Sequence, residues 1–194
     1  MSTKSIKGTQ TENLLVKAYI AESTAYTRYI FYAKQAGKEQ YFPIQQIFQE
    51  TADNELHHAK VFFKFLEGGK VTATGCYDSG VIGTTLQNLR TASEEELHEG
   101  VEFYSKAAIV AESEGFPEIA SRFSSIAKVE MTHRRRFERY IRQVEEGTVW
   151  KRDNPVKWQC LVCGYIHEGT TPPQECPACD PPYQHYIARA IYAA

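Results

Sequence analysis

Apolar residues recur at helical spacing along most of the chain before residue 147. The first such stretch predicts a helix over residues 10–37, and Gly37 is a natural stop. The second predicts a helix over residues 42–67, because Pro43 suits a first helical turn and two glycines follow the last apolar position. These two helices form the first predicted hairpin.

The second half of this region repeats the arrangement. Residues 68–85 are rich in Gly, Thr and Ser and predict a long crossover, with a short helix possible after Thr84. A third helix is predicted from residue 93 to 115 and a fourth from 117 to 146. Two hairpins joined by one long crossover predict an all-α ferritin-like four-helix bundle.

Composition changes after Gly147. Residues 153–194 contain six of the eight prolines and four of the five cysteines, with little helical periodicity. We therefore predict two domains, a helical bundle over residues 1–150 and a small β-rich, metal-stapled domain over residues 151–194.

Several glutamates occupy positions where the helical pattern calls for apolar residues. Glu22, Glu55 and Glu130 lie in line with Ala, Phe, Tyr and Ile on the faces that point to the bundle interior. Burying unpaired carboxylates is very costly, so several in one core need positive charge beside them. Metal cations supply that charge.

Two histidines fit the same hypothesis. His58 follows Glu55 by three residues and His133 follows Glu130 by three, so each pair emerges on one helix face. Two Glu-x-x-His motifs with a glutamate from each remaining helix make the di-iron carboxylate pattern. This donor set suits Fe, Mn or Zn.

The third helix offers two candidate ligands, Glu96 and Glu99. An alternative for Glu96 is the fourth residue of a capping box that begins at Ser93. The first hairpin separates its paired glutamates by 33 residues and Glu96 precedes Glu130 by 34, which favours Glu96 as a ligand. The remaining acids and histidines nearby are interpreted as first-turn or surface residues: Glu94, Glu95, Glu102, His57 and His98.

The C-terminal cysteines form two C-x-x-C pairs, Cys160/Cys163 and Cys176/Cys179. Together they can surround one ion with four thiolates, and the spacing fits both zinc and a single iron. The neighbouring redox-type metal site and an aromatic core favour iron; the aromatic residues are Trp158, Tyr165, Tyr183 and Tyr186. Cys76 lies alone in the crossover and is assigned no role.

Charge narrows the function classes. The net charge is −2 with 24% charged residues, so the sequence lacks the excess of positive charge that is typical of nucleic-acid-binding proteins. No stretch approaches the length of a membrane span, and the N-terminus lacks the features of a secretory signal. We therefore expect a soluble, cytoplasmic protein.

The metal motifs, taken in order, resemble one family, the rubrerythrins. The motifs are Glu22, Glu55-x-x-His58, Glu96-x-x-Glu99, Glu130-x-x-His133 and the trailing WQCLVCGY…ECPACD. The resemblance covers nearly the whole chain and implies a ferritin-like di-iron domain followed by a rubredoxin-like domain with one iron on four cysteines. It also implies that Glu99 is an additional ligand, that Glu99 and His58 exchange at one iron as the oxidation state changes, and that Tyr29 and Tyr104 lie near the di-iron site.

The resemblance further implies a non-haem peroxidase that reduces hydrogen peroxide in oxidative-stress protection. An external donor, either rubredoxin or an NAD(P)H-dependent reductase, would supply electrons, and the chain would form a head-to-tail homodimer. Three alternatives compete with this function: a ferroxidase or iron-storage protein, a redox sensor or electron carrier, and a di-iron oxidase that reduces dioxygen. The buried carboxylates argue against the sensor or carrier, because they require a metal centre.

Overall fold

The computed structural model describes residues 4–75, 77 and 79–189, except for the side chain of Glu99. Cys76 lies outside the described residues. The helical region consists of α1 (Gln10–Lys38), α2 (Phe42–Phe65), α3 (Thr85–Glu95), a π-helical segment (Glu96–Phe103), α4 (Tyr104–Ser113) and α5 (Pro117–Glu145). Because α3, the π-helical segment and α4 run on without a break, the region forms the predicted four-helix bundle with a long crossover.

The third long helix begins earlier than predicted. It starts at Thr85 rather than near Ser93, because Thr84 accepts from the backbone N–H of Gln87 while the Gln87 side chain accepts from the backbone N–H of Thr84. The capping box therefore belongs to Thr84 and Gln87. Ser93 lies inside the helix, so the capping interpretation of Glu96 is wrong.

The bundle core consists of two apolar clusters with a polar layer between them. One cluster contains Leu15, Phe62, Tyr104 and Phe123, and the other contains Tyr29, Ile44, Phe48, Leu89 and Phe137. Four buried glutamates lie between these clusters along the helices: Glu22, Glu55, Glu96 and Glu130. Among the residues described, no helix has the length and apolarity needed to cross a membrane.

The C-terminal region is a small antiparallel sheet. Strands β1 (Val156–Cys160), β2 (Ile166–Gly169) and β3 (Tyr186–Arg189) are arranged in the order β2-β1-β3, and a 3-10 helix (Tyr183–His185) leads into β3. Trp158 and Tyr186 are fully buried in its core, beside Cys160 and Cys176. The sheet confirms the predicted β-rich tail.

Aromatic stacking joins this sheet region to one end of the bundle. The ring of Trp150 stacks on Tyr41 at 5.6 Å between centroids, and the ring of His185 stacks on Phe42 at 3.8 Å. Both bundle residues lie at the start of α2, so the small domain is anchored where α1 passes into α2.

Candidate metal centres

Two sets of potential metal ligands meet in the polar layer of the bundle. One set comprises Glu22, Glu55, His58 and Glu130, and the other comprises Glu55, Glu96, Glu130 and His133. The donor atoms of each set lie within 4.8 Å of one another. Ligands on opposite sides of one ion stand about 4.2 Å apart when each bond is about 2.1 Å, so each set can close on one ion with small side-chain adjustments.

The two sets share Glu55 and Glu130, which therefore lie where the two groups of donor atoms meet. His58 presents Nδ1 at 2.9 Å from Oε2 of Glu55 and 2.9 Å from Oε1 of Glu130. His133 presents Nδ1 at 3.1 Å from Oε1 of Glu55 and 2.8 Å from Oε2 of Glu130. The two carboxylates thus contact both histidines, which is the arrangement expected of bridging ligands.

The electrostatics of this layer favour cations. Burial raises the pKa of Glu22 and of Glu96 well above the usual value, and neighbouring carboxylates raise them further. Burial lowers the pKa of His133, but its contacts with Glu130, Glu55 and Glu96 outweigh burial and raise it to about 12. Protons and metal ions compete for such a cluster, since metals bind the deprotonated groups.

Glu22 and Glu96, which each belong to only one ligand set, each accept a hydrogen bond from a tyrosine of the other hairpin. The hydroxyl of Tyr29 on α1 donates to Oε1 of Glu96 at 2.7 Å, and the hydroxyl of Tyr104 on α4 donates to Oε1 of Glu22 at 2.5 Å. Burial raises the pKa of both tyrosines, with the neighbouring carboxylates adding to the effect, so the phenols stay protonated and remain donors. Spacing alone did not indicate Tyr104.

Sequence reasoning missed two groups around this centre. Oδ1 of Asn54 lies 3.2 Å from Nε2 of His133, so Asn54 can accept the second ring N–H and orient Nδ1 toward the carboxylates. Glu95 was interpreted as a surface acid, but it is buried and pairs with the buried Arg28 at 2.8 Å. The sequence places Glu95 beside Glu96 and Arg28 beside Tyr29, yet it gives no sign of the pairing.

The other predictions around this centre concern two histidines and Glu99. His57 and His98 are exposed, as predicted. The side chain of Glu99 lies outside the described residues, so its place as an additional ligand stays a prediction. The Glu99/His58 exchange likewise stays a prediction.

The four C-terminal cysteines also converge. Neighbouring Sγ atoms are 3.8 Å apart for Cys160 and Cys179, 3.7 Å for Cys163 and Cys176, and 3.6 Å for Cys176 and Cys179. A disulfide would need about 2.05 Å, whereas a tetrahedron of sulfurs with metal bonds of about 2.3 Å has edges of about 3.8 Å. The four thiols therefore fit one tetrahedral ion.

Comparison with known proteins agrees with both centres. The sequence model of the family described as rubrerythrin matches residues 13–141, and that of the rubrerythrin, rubredoxin-like domain matches residues 158–186. The chain belongs to the rubrerythrin family. The protein thus combines a carboxylate–histidine di-iron site with a rubredoxin-like four-cysteine domain, and it is a di-iron protein of oxidoreductase type.

Curated rubrerythrins are similar over most of their length. The chain is 45% identical over 183 residues to rubrerythrin of Porphyromonas gingivalis, covering 94% of this chain and 92% of that protein. It is 44% identical over 183 residues to rubrerythrin of Nitratidesulfovibrio vulgaris, covering 94% and 96%. The sequence-based resemblance is therefore confirmed.

Solved structures support the fold. Nigerythrin in a mixed-valence state matches with a TM-score of 0.60 and 24% identity, covering 97% of this chain and 88% of that one. Symerythrin from Cyanophora paradoxa, reduced with dithionite, matches with a TM-score of 0.62 and 19% identity, covering 74% and 90%.

Proposed function

We propose that the protein is a non-haem di-iron peroxidase that reduces hydrogen peroxide to water and so protects against oxidative stress. The proposal rests on two hydrogen bonds that cross between the hairpins, from Tyr29 to Glu96 and from Tyr104 to Glu22. Both lie beside Glu55 and Glu130, which belong to both ligand sets. Protonated phenols in a buried layer can donate hydrogen bonds to a small oxygen substrate.

Seven bundle residues would hold the two irons. Glu55 and Glu130 would contribute to both sets, while His58 and Glu22 would complete one and His133 and Glu96 would complete the other. Glu99 joins the proposal on the family resemblance. The set fits iron because carboxylate and imidazole donors are ligands of non-haem iron. The third iron would be held by the four cysteines Cys160, Cys163, Cys176 and Cys179.

Iron at these sites would supply the two electrons that, with two protons, convert one hydrogen peroxide into two waters. The protein's own residues position the substrate. Tyr29 and Tyr104 each have one O–H, which would turn from Glu96 or Glu22 to donate to a peroxide oxygen. The aromatic clusters on either side of the polar layer would keep bulk water out.

An external donor must renew the electrons, and rubredoxin or an NAD(P)H-dependent reductase is proposed for that role. The small domain is anchored at Phe42, thirteen residues before Glu55 in α2, which is about 20 Å along a helix that rises 1.5 Å per residue. We propose a head-to-tail homodimer, in which the four-cysteine domain of the second subunit would lie closer to the irons.

Two other functions compete with this proposal. The bundle alone would suit a ferroxidase or iron-storage protein, but storage needs no fused thiolate site to return electrons. A di-iron oxidase that reduces dioxygen would use the same groups, and the choice of oxidant separates it from a peroxidase.

The proposal is tested by peroxide consumption with a rubredoxin reductase, rubredoxin and NADH. Iron-loaded wild-type protein should oxidise NADH in proportion to added hydrogen peroxide. The Glu130→Ala variant should lose this activity while its four-cysteine site stays filled. Equal NADH oxidation by both proteins would contradict the proposal.

A further inference from the structure

A buried ion pair lies next to the di-iron layer without belonging to either ligand set. Nη2 of Arg28 on α1 is 2.8 Å from Oε2 of Glu95, and both side chains are more than nine-tenths buried. Each residue is the sequence neighbour of one partner in the Tyr29–Glu96 hydrogen bond, because Arg28 precedes Tyr29 and Glu95 precedes Glu96. Two parallel contacts therefore connect α1 with the start of the π-helical segment.

The ion pair borders a small cavity at the di-iron layer. The cavity is lined by all four buried glutamates of the ligand sets, by both tyrosines, and by Arg28 and Glu95. His58 and His133 do not line it, so the cavity lies on the α1 and α3 side of the carboxylates. This is the side on which the two tyrosine hydroxyls could meet a substrate.

A second, larger groove lies outside this cavity, between α1 and the crossover. It is lined by Thr24, Thr27 and Phe31 of α1 and by crossover residues 79–82. The groove is open to solvent at Val81 and Ile82, which are 79% and 59% exposed. Among the described residues, Arg28 alone lines both the groove and the inner cavity.

The crossover is held closely against the stem of Arg28. Gly80 has φ +61°, and a Cβ added there would lie 2.8 Å from Cδ of Arg28. The backbone of the crossover therefore approaches Arg28 at a distance that a larger residue would not allow. Arg28 lies between the crossover on the outside and Glu95 on the inside.

We propose that the Arg28–Glu95 pair is the selectivity barrier on the route by which peroxide passes from this groove to the di-iron cavity. The inference rests on the proposed peroxidase function. Hydrogen peroxide is small and both donates and accepts hydrogen bonds, so it can exchange contacts with the guanidinium N–H groups and the carboxylate as it passes. An organic hydroperoxide carries an alkyl group that can form no such bonds and needs a wider opening.

Two double variants separate size from charge at this position. Arg28→Ala with Glu95→Gln removes the charge and opens the passage, while Arg28→Met with Glu95→Gln removes the charge and nearly keeps the volume. Both avoid leaving one buried charge unpaired. A matched control pair, Arg134→Ala with Glu138→Gln, removes a partly exposed ion pair of 2.9 Å on α5.

The rates of reaction with hydrogen peroxide and with tert-butyl hydroperoxide are compared for fully reduced, iron-loaded proteins. The opened variant should raise the ratio of the tert-butyl rate to the hydrogen peroxide rate by about tenfold or more. The Met variant should slow the hydrogen peroxide reaction, because the polar groups that exchange contacts with peroxide are lost while the passage stays narrow. The α5 control should keep both wild-type rates. An unchanged ratio in the opened variant, at wild-type iron content, would overturn the proposal.

A surface variant tests the groove without touching the buried pair. Val81→Trp should narrow the groove and slow both the peroxide reaction and the extraction of ferrous iron by ferrozine, whereas Ile109→Trp on α4, at a residue 71% exposed, should slow neither. Equal extraction rates for the two variants and wild type would contradict the route. If wild type fails to react with hydrogen peroxide, the proposed function fails, while the extraction rates still test the route.

Discussion

Gly100 lies so close to Glu130 that its α-carbon has no space for a side chain. A Cβ built on Gly100 would be 2.2 Å from Cβ and 2.3 Å from Cγ of Glu130. Gly100 belongs to the π-helical segment, and Glu130 belongs to both ligand sets. The wide turn and the missing side chain together let α5 bring its carboxylate into the polar layer.

Gly100→Ala should therefore displace Glu130 and lower the iron content of the bundle. The overpacked contact should also destabilise the fold by about 1–3 kcal/mol. Iron per chain and the midpoint of thermal unfolding measure the two effects. Gly37→Ala is the control, because its Cβ would meet only the flexible side chain of Gln45. Normal iron content in Gly100→Ala would show that the close contact has no role in the site.

Tyr104→Phe removes the hydrogen bond to Glu22 while keeping the ring that packs against Phe62 and Phe123. We expect the variant to bind iron but to react with peroxide roughly tenfold more slowly or worse, because a positioned donor is lost. Stopped-flow mixing of reduced protein with peroxide measures the rate. Tyr19→Phe, at a tyrosine 36% exposed on α1, should behave as wild type. A wild-type rate in Tyr104→Phe would rule out the proposed role of this hydroxyl.

Asn54 orients His133 from behind, and its loss should weaken metal binding. Asn54→Ala removes the acceptor at 3.2 Å from Nε2, so iron affinity should fall by roughly 10- to 100-fold. Competition with a ferrous chelator measures the affinity. The neighbouring exposed residue provides the control, since Asp53→Ala should leave the affinity unchanged. Equal affinities for the two variants would mean that Asn54 does not support the ligand.

The sequence predicted the fold class and the residues that the two centres bring together. Glutamates within apolar stripes indicate a metal site, because a buried carboxylate is costly unless a cation lies beside it. The Glu-x-x-His spacing in the bundle and the C-x-x-C spacing in the C-terminal region then indicate the ligands. Both signals depend on local spacing, which a helix or a tight turn converts directly into geometry.

Other features depended on contacts between distant segments. The π-helical turn at Glu96–Phe103 has no spacing signal of its own, and its need appears only once Gly100 is seen against Glu130. Arg28 and Glu95 are 67 residues apart in the sequence, so their pairing followed from packing alone. The start of α3 was misplaced because Ser93 and Glu96 imitate a capping box, while the real one lies at Thr84.

The proposed head-to-tail dimer can be tested by complementation. One variant, Glu130→Ala, lacks a working di-iron site, and another, Cys160→Ser, lacks a complete thiolate site. If electrons pass between subunits, a mixture that exchanges subunits should recover about a quarter of wild-type turnover, since half of the dimers are mixed and each has one working pair. Peroxide-dependent NADH oxidation measures the recovery. No recovery, in mixtures shown to contain mixed dimers, would indicate transfer within one subunit.

Rapid mixing tests most directly whether hydrogen peroxide is the preferred oxidant of the di-iron site. Iron-loaded protein is fully reduced without air and mixed with either hydrogen peroxide or dioxygen, while the returning colour of the ferric four-cysteine site is followed. We expect peroxide to restore the colour far faster than dioxygen and Glu130→Ala to lose this difference in rate. An equal or faster reaction with dioxygen would contradict this expectation and assign the protein to the di-iron oxidases or ferroxidases.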